Sequence, residues 1–299
     1  MKTMKKIKSV LLVASLFMIG GAFTILFTSF SADVSPRDED PVKKETSAKK
    51  KEVKTWRWEE MFPSDMREAL EEMPVAWVLF SPLEWHGEAM AFGTDPIIGQ
   101  HVLDKAWKQV GGVRIPTVYV GVETDFKYLD QGIKSHWGLE VITEDHNYGS
   151  INSRPLTLQL VIEDYLYFLK REGFKMAVVS TGHGGTEHLE VMKEVCERIS
   201  DESFKAVLPR RGTIPEELRI ESSGGHASVG ELSLLGAINP NLVDVDKYGV
   251  TEQDRKVNLL QEEKDNIDFE KAAKVIDIYA NSMARAVRDM YEEMIKADQ

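Results

Sequence analysis

Cysteine is almost absent from this 299-residue chain, in which Cys196 is the only one. A single cysteine excludes an intramolecular disulfide, so no covalent cross-link stabilises the fold. Cys196 lies in the helix-like stretch 189–199, where a lone cysteine usually packs in the core, so we do not expect a catalytic thiol. With 42% hydrophobic residues, the length suits one large globular domain with appendages.

Positive charge is scarce in most of the chain, whose formal net charge is -12. Residues 1–55 hold eleven Lys or Arg and six Asp or Glu, which leaves 26 basic and 43 acidic side chains in the rest. Because nucleic-acid phosphates bind to basic surfaces, this acidic body argues against nucleic acid as a partner.

Charged residues are missing from residues 9–32, an apolar stretch that follows a lysine-rich start. A basic start followed by an apolar stretch predicts export from the cytoplasm, to the periplasm or the cell exterior. The stretch is also long enough, at about 20 residues or more, to span a bilayer. Two hypotheses stay open for residues 1–32: a cleaved signal peptide, or a membrane anchor that tethers the chain.

Apolar residues are scarce in residues 33–55, which are polar and rich in Lys, Glu, Asp and Ser. Such a segment buries too little apolar surface to order itself, so its composition predicts a disordered linker. The folded domain is therefore expected over residues 56–299.

Within that domain, short apolar stretches alternate with longer helix-like ones. The patterns predict strands at 75–80, 115–122, 175–180 and 205–208, and helices at 97–110, 156–172 and 268–297. Strands separated by helices predict an α/β fold, a three-layer α/β/α sandwich with a mostly parallel sheet. The stretch 123–154 is irregular, and a loop of this length is usually functional or disordered.

Histidines follow two of the predicted strands. Glu84 and His86 come after strand 75–80, and His183 comes after strand 175–180 in a glycine-rich turn. In open α/β sheets, ligands bind beyond the carboxyl ends of the strands. Side chains two residues apart on a strand point the same way, so Glu84 and His86 are predicted to face one site. A carboxylate beside an imidazole suits Zn, Mn or Fe.

Two further groups add residues of the same types. Asp95 directly precedes a predicted helix, so it can return to the same strand end. His226 and Glu231 repeat the combination of imidazole and carboxylate further along the chain. Each residue alone is more often a surface or capping residue, but together they indicate a metal site.

These groups resemble the motifs of the creatininase (creatinine amidohydrolase) family. Glu84-Trp85-His86-Gly87, followed by Gly93-Thr94-Asp95, resembles the family's E-x-H-G…G-T-D signature. The turn from Gly182 to Gly185 is similar to N-G-H-G-G-N, and the segment from Gly225 to Glu231 is similar to G-H-A-G-x-x-E. The three motifs occur in the family's order, within residues 75–240.

The resemblance implies an α/β/α hydrolase with two divalent metal ions, of Zn, Mn or Fe. Asp95 would bridge both ions, Glu84 and His183 would complete one site, and His86 and Glu231 would complete the other. Two cations that share a carboxylate supply hydroxide near neutral pH and polarise the carbonyl that it attacks.

Other residues are candidates for handling the substrate. His226 suits proton transfer to the leaving nitrogen, because an imidazole titrates near neutral pH; a loop-fixing role is the alternative. Trp85, His136 and Trp137 are candidates for substrate binding, because aromatic rings stack on planar amides; ordinary packing is the alternative.

Two departures from the family pattern bear most directly on the ligands and the substrate. Many relatives have a second His and a Pro after the first motif, where this chain has Glu88-Ala89-Met90-Ala91. Creatininase itself takes a ligand from a Glu two residues after the turn histidine, a position that Gly185 occupies here. Glu187 therefore competes with Glu231 as a ligand, and we favour Glu231. These departures argue against creatinine as the substrate.

The leading hypothesis is hydrolysis of a small-molecule C–N amide bond, in a cyclic amide, a formamide or a similar compound. The alternatives are a short-peptide metallopeptidase of the same family and an envelope protein that binds a metal or ligand without turnover. Relatives often form closed oligomers, and the sequence leaves a homo-oligomer open.

Overall fold

The structure is a computed structural model that describes residues 11–19, 22–30, 53–122, 151, 153–209, 211–221, 225–251, 254 and 259–297. It divides into two units, Met1–Lys50 and Lys51–Gln299. In the first unit, strands β1 (Leu11–Ile19) and β2 (Ala22–Phe30) pair antiparallel. Within the described residues, no helix combines the length and apolar character needed to cross a membrane. The export signal or anchor stays a prediction.

The second unit alternates strands and helices, as its sequence predicts. Its strands are β3 (Thr55–Arg57), β4 (Val75–Leu79), β5 (Gly112–Arg114), β6 (Met176–Ser180) and β7 (Lys205–Val207). Its α-helices are α1 (Pro63–Glu72), α2 (Thr94–Val110), α3 (Pro155–Glu172), α4 (Thr186–Ile199), α5 (Val229–Ile238) and α6 (Phe269–Ala297). Short 3-10 helices lie at Trp58–Glu60, Glu216–Leu218, Pro240–Leu242, Val245–Lys247 and Gln261–Asn266.

The five strands of the second unit form a parallel sheet in the order β3-β5-β4-β6-β7. The central strands β4 and β6 pair along their whole length, from Val75 with Met176 to Leu79 with Ser180. Both are buried throughout, which explains their uninterrupted apolar sequences. Because the sheet is parallel, the carboxyl ends of β4 and β6 lie side by side at one edge.

Each face of the sheet is covered by its own helices. On one face, Ala76, Val78 and Phe80 belong to a buried cluster with side chains of α1, α3 and α4. On the other face, Val75, Trp77 and Leu79 belong to a cluster with α2 and α6. Burying a large apolar side chain stabilises a fold by about 1.5–3 kcal/mol, so both interfaces contribute strongly. The prediction of a three-layer α/β/α fold with a parallel sheet is confirmed.

The prediction of a strand at 115–122 is wrong in position. The strand is β5, which ends at Arg114; beyond it, the N–H of Ile115 still donates to Trp77, and Val118 forms an isolated bridge with Phe80. Pro116 has no N–H to donate, which interrupts the ladder beside β4. The strand instead begins at Gly112, where φ is +91° and a Cβ would overlap the carbonyl oxygen of Val75.

The helix predicted at 97–110 begins three residues earlier, at Thr94. This shift places Asp95 inside the first turn of α2, where it is 2% exposed. A carboxylate in the first turn interacts favourably with the unpaired N–H groups and the dipole of the helix.

We predict that Cys196 is almost inert in the native chain. Its side chain is 4% exposed in the cluster beneath α4, and burial raises the pKa of the thiol to about 12. Because the thiolate is the reactive form, disulfide reagents at mildly alkaline pH should label it at least about tenfold more slowly than a free thiol. Labelling in concentrated guanidinium chloride should be fast and complete. Fast labelling of the native protein would contradict the packing of α4.

Candidate metal centre

The first motif lies beyond the end of β4, in an irregular segment. Glu84 and His86 therefore do not sit on a strand, and the strand alternation used to predict their shared direction does not apply. Their orientation comes from a local contact instead: Nδ1 of His86 lies 3.0 Å from the carbonyl oxygen of Glu84, to which it donates a hydrogen bond. This bond leaves Nε2 of His86 as the nitrogen available to a ligand. Both side chains are buried.

Asp95 places one carboxylate between two histidines. Its Oδ1 lies 3.3 Å from Nε2 of His86, and its Oδ2 lies 2.9 Å from Nδ1 of His183. The helix start that positions Asp95 packs directly against the turn after β6, because a Cβ on Gly182 would overlap the carbonyl oxygen of Asp95. The close approach of these two backbones requires glycine at 182.

The turn after β6 aims His183 at the same point. Nε2 of His183 donates to the carbonyl oxygen of Val122 at 3.0 Å, so Nδ1 is the nitrogen that faces the carboxylates. Nδ1 lies 2.9 Å from Oε2 of Glu84 as well as from Asp95. A Cβ on Gly185 would overlap the imidazole of His183 and lie 3.1 Å from the oxygen of Val122. Gly185 thus leaves room for this hydrogen bond.

The third motif supplies the remaining carboxylate. Ser228 caps helix α5 by accepting a hydrogen bond from the N–H of Glu231, in the first turn of the helix. Oε2 of Glu231 lies 3.7 Å from Nε2 of His86. Ala227 has φ +52°, a left-handed conformation that is costly for a residue other than glycine. This strained residue joins His226 to the capped helix start.

His226 lies beside the cluster. Its Nε2 donates to the carbonyl oxygen of Trp85 at 2.8 Å, and its Nδ1 lies 3.6 Å from Oε1 of Glu84. Its ring packs on that of His86, with centroids 4.5 Å apart. Burial and the neighbouring His86 lower the pKa of His226 to about 4, so the expectation that this imidazole titrates near neutral pH is wrong for the metal-free chain.

The electrostatics of the site reflect several carboxylates held away from water. Burial alone would lower the pKa of His86, but the carboxylates of Asp95, Glu231 and Glu84 together raise it to about 10. Burial would also lower the pKa of His183, but hydrogen bonds to Asp95 and Glu84 raise it to about 10. Burial raises the pKa of Glu231 to about 7. The negative charge of this cluster therefore attracts cations, either protons or metal ions.

The donor set fits divalent cations. Ligand atoms of the site lie within 4.8 Å of one another in three groups: Glu84, His86 and His226; Glu84, Asp95 and His183; and His86, Asp95 and Glu231. Two buried ligand atoms of the cluster, Nε2 of His86 and Oε2 of Glu231, make no hydrogen bond within the described residues. Buried polar atoms are normally satisfied, and imidazole with carboxylate is the donor set that Zn and Mn use.

The structure thus brings together every residue named as a metal ligand from sequence. Glu187 belongs to none of the three groups among the described residues. The indole of Trp85 packs in an apolar cluster with Leu232 and Tyr248, and its carbonyl oxygen accepts a hydrogen bond from Nε2 of His226. His136 and Trp137 lie outside the described residues. Sequence reasoning missed Val122, because its contribution is a backbone carbonyl that no side-chain pattern reveals.

A cavity of about 730 Å³ borders the His183 turn. Its lining includes Ile98, Leu189, Leu208 and Tyr279, with Arg211 as a charged member. Within the described residues, His183 is the only member of the metal cluster that lines it. The cavity therefore meets the metal cluster at His183.

An α/β/α fold with a buried histidine–carboxylate cluster at the carboxyl edge of its sheet defines the class of metal-dependent α/β hydrolases. The sequence profile of the creatininase family, described as creatinine amidohydrolase, matches residues 59–287. The chain belongs to the creatininase family and is a hydrolase of that family. In a search of curated proteins, no sequence matches the chain.

Solved structures of creatininase share the fold. A structure described as creatininase Mn matches with TM-score 0.61 and 19% identity, over 79% of this chain and 99% of that chain. A creatininase variant described as Zn-Zn type matches with TM-score 0.60 and 17% identity, over 80% and 99%. A variant complexed with creatine matches with TM-score 0.62 and 18% identity, over 80% and 99%. Creatininase structures therefore carry Mn or Zn, and a creatininase binds a small molecule.

We predict that Gly185→Ala weakens metal binding while Gly184→Ala does not. The added methyl at 185 would displace the imidazole of His183, whereas at 184 no atom lies within 4 Å of it. A displaced ligand should cost about tenfold or more in zinc affinity, which chelator competition measures. Gly184→Ala, at the neighbouring position, controls for general effects of alanine in this turn. Equal affinities for the two variants would contradict the geometry described.

Proposed function

We propose that the protein is an amidohydrolase that uses two divalent cations, of Zn, Mn or Fe, to cleave a C–N amide bond in a small molecule. The substrate class is a cyclic amide, a formamide or a similar compound. The observation that carries this proposal is Asp95, whose two oxygens face His86 and His183 separately. A carboxylate in that position suits two ions rather than one.

The ligand groups support a division of the residues between two ions. Glu84, Asp95 and His183 would hold one ion, and His86, Asp95 and Glu231 would hold the other. When bound, such ions supply hydroxide near neutral pH and polarise the amide carbonyl. The residues themselves hold their donor atoms in place: hydrogen bonds to backbone carbonyls fix which nitrogen of His86 and of His183 is bare.

We propose that His226 moves a proton during the reaction. Its Nε2 carries a proton that is donated to Trp85, so Nδ1 is the basic nitrogen and faces the Glu84 side of the site. We propose that Nδ1 takes a proton from the attacking water and passes it to the leaving nitrogen. A general acid–base group of this kind contributes about 10²–10⁴-fold to a rate.

We also propose that the enzyme acts outside the cytoplasm. The lysine-rich start and the uncharged residues 9–32 support export, with or without retention at the membrane. The substrate would then be a compound of the periplasm or of the medium.

We predict that the full-length, metal-loaded protein hydrolyses at least one compound in a screen of lactams, formamides and dipeptides. Chelation or His183→Ala should lower the rate by about a thousandfold or more, because metal ions contribute several kcal/mol of transition-state stabilisation. Added Zn or Mn should restore the chelated enzyme. Cleavage of dipeptides alone would favour the metallopeptidase. Two bound ions without turnover of any compound would favour a binding protein.

We predict that Glu231→Gln lowers the metal content from two ions per chain to about one, whereas Glu187→Gln keeps both. Oε2 of Glu231 lies 3.7 Å from Nε2 of His86, and the amide removes the charge that attracts the second ion. Elemental analysis of the two purified variants measures the difference. The outcome against Glu231 would be loss of an ion in Glu187→Gln instead.

A further inference from the structure

His188 is a buried histidine that none of the three ligand groups includes. It lies in the first turn of α4, is fully buried, and packs its ring edge-on to that of His183 with centroids 5.1 Å apart. Its sequence position inside a helix favours a structural role. The hydrogen bonds around it indicate a more specific one.

Two hydrogen bonds run through Val122 and join His188 to His183. The N–H of Val122 donates to Nδ1 of His188 at 3.2 Å, and the carbonyl oxygen of Val122 accepts from Nε2 of His183 at 3.0 Å. An Nδ1 that accepts a backbone N–H carries no proton, so His188 is neutral with its proton on Nε2. His188 therefore holds Val122 through its N–H, and Val122 orients His183 through its carbonyl oxygen.

Val122 needs such support because it lies outside the regular sheet. β5 ends at Arg114, and beyond it the segment is joined to β4 by the N–H of Ile115, which donates to Trp77, and by the isolated bridge at Val118, four residues before Val122. Nearby, the carbonyl of Gly121 accepts from Ser153 at 2.7 Å. A backbone carbonyl orients a metal-binding imidazole only as well as its own segment is fixed. Helix α4 is packed on the sheet and offers a rigid attachment point.

We propose that His188 is a positioning residue for the metal centre: by anchoring Val122, it keeps the proton of His183 on Nε2 and its Nδ1 bare toward Glu84 and Asp95. The inference rests on the metal binding in the proposed function and not on the substrate. It predicts that the acceptor atom of residue 188, rather than its volume, determines metal affinity.

Replacing His188 with Asn or with Leu separates the effect of its hydrogen-bond acceptor from the effect of its side-chain volume. Asn has nearly the shape of Leu, and its Oδ1 occupies the position of Nδ1 in histidine, so His188→Asn keeps the acceptor and His188→Leu removes it. Both leave the same space unfilled. His101→Leu, on α2 and outside the three ligand groups, controls for loss of a histidine elsewhere.

The experiment measures the zinc Kd of the full-length protein and its variants by chelator competition, and their thermal unfolding without metal. His188→Leu should weaken zinc binding by about 10–100-fold, while His188→Asn stays within about threefold of the unchanged protein. The two variants should unfold at similar temperatures without metal. If His188→Leu does not fold, His188→Gln replaces it, since its amide lies at the Nε2 position, away from Val122.

Three results would overturn the proposal or its basis. Wild-type zinc affinity in His188→Leu would show that the acceptor has no role. Equal weakening in the Asn and Leu variants would make His188 a packing residue only. Failure of the unchanged protein to bind zinc would remove the proposed function together with this role, whereas the first two results leave the proposed function intact.

Discussion

The site depends on one constraint, the placement of the Asp95 carboxylate between two histidines that come from different parts of the chain. Oδ1 contacts His86 and Oδ2 contacts His183, so a shift of α2 along its axis would break both contacts. The start of the helix is fixed by close packing against Gly182, where no side chain fits. A backbone contact between α2 and the turn after β6 therefore determines whether the site exists at all.

Charge explains why this arrangement needs cations. Despite burial, which would raise it, the pKa of Asp95 is held well below its usual range by His86 and His183. Both histidines have a pKa of about 10, so in the metal-free chain protons neutralise the carboxylates. A metal ion has to displace those protons, and metal binding is therefore coupled to proton release. The fold supplies the negative charge of the carboxylates. In the metal-free chain the histidine protons balance this charge, and a bound metal ion would take their place.

The sequence predicted the layers of the fold and the residue types of the site, because both depend on patterns along the chain. The apolar stretch 75–80 corresponds to a fully buried strand, and histidines follow two neighbouring strands. The sequence prediction misplaced β5. The strand starts at Gly112, because close contact with the carbonyl oxygen of Val75, rather than side-chain preference, determines where the strand begins. The sequence could not reveal the anchoring of Val122, which is a backbone contact between segments far apart in sequence.

Gly185 shows how these constraints fit together. The resemblance to creatininase places a carboxylate ligand at this position, but here a side chain would overlap His183 and crowd the carbonyl of Val122. The chain therefore orients His183 with a backbone carbonyl that lies where a side chain would be. A second carboxylate must then come from elsewhere, and Glu231 approaches His86 from the capped start of α5. Within the described residues, the turn after β6 therefore contributes an imidazole and no carboxylate to the cluster, which distinguishes it from the turn that the resemblance to creatininase predicts.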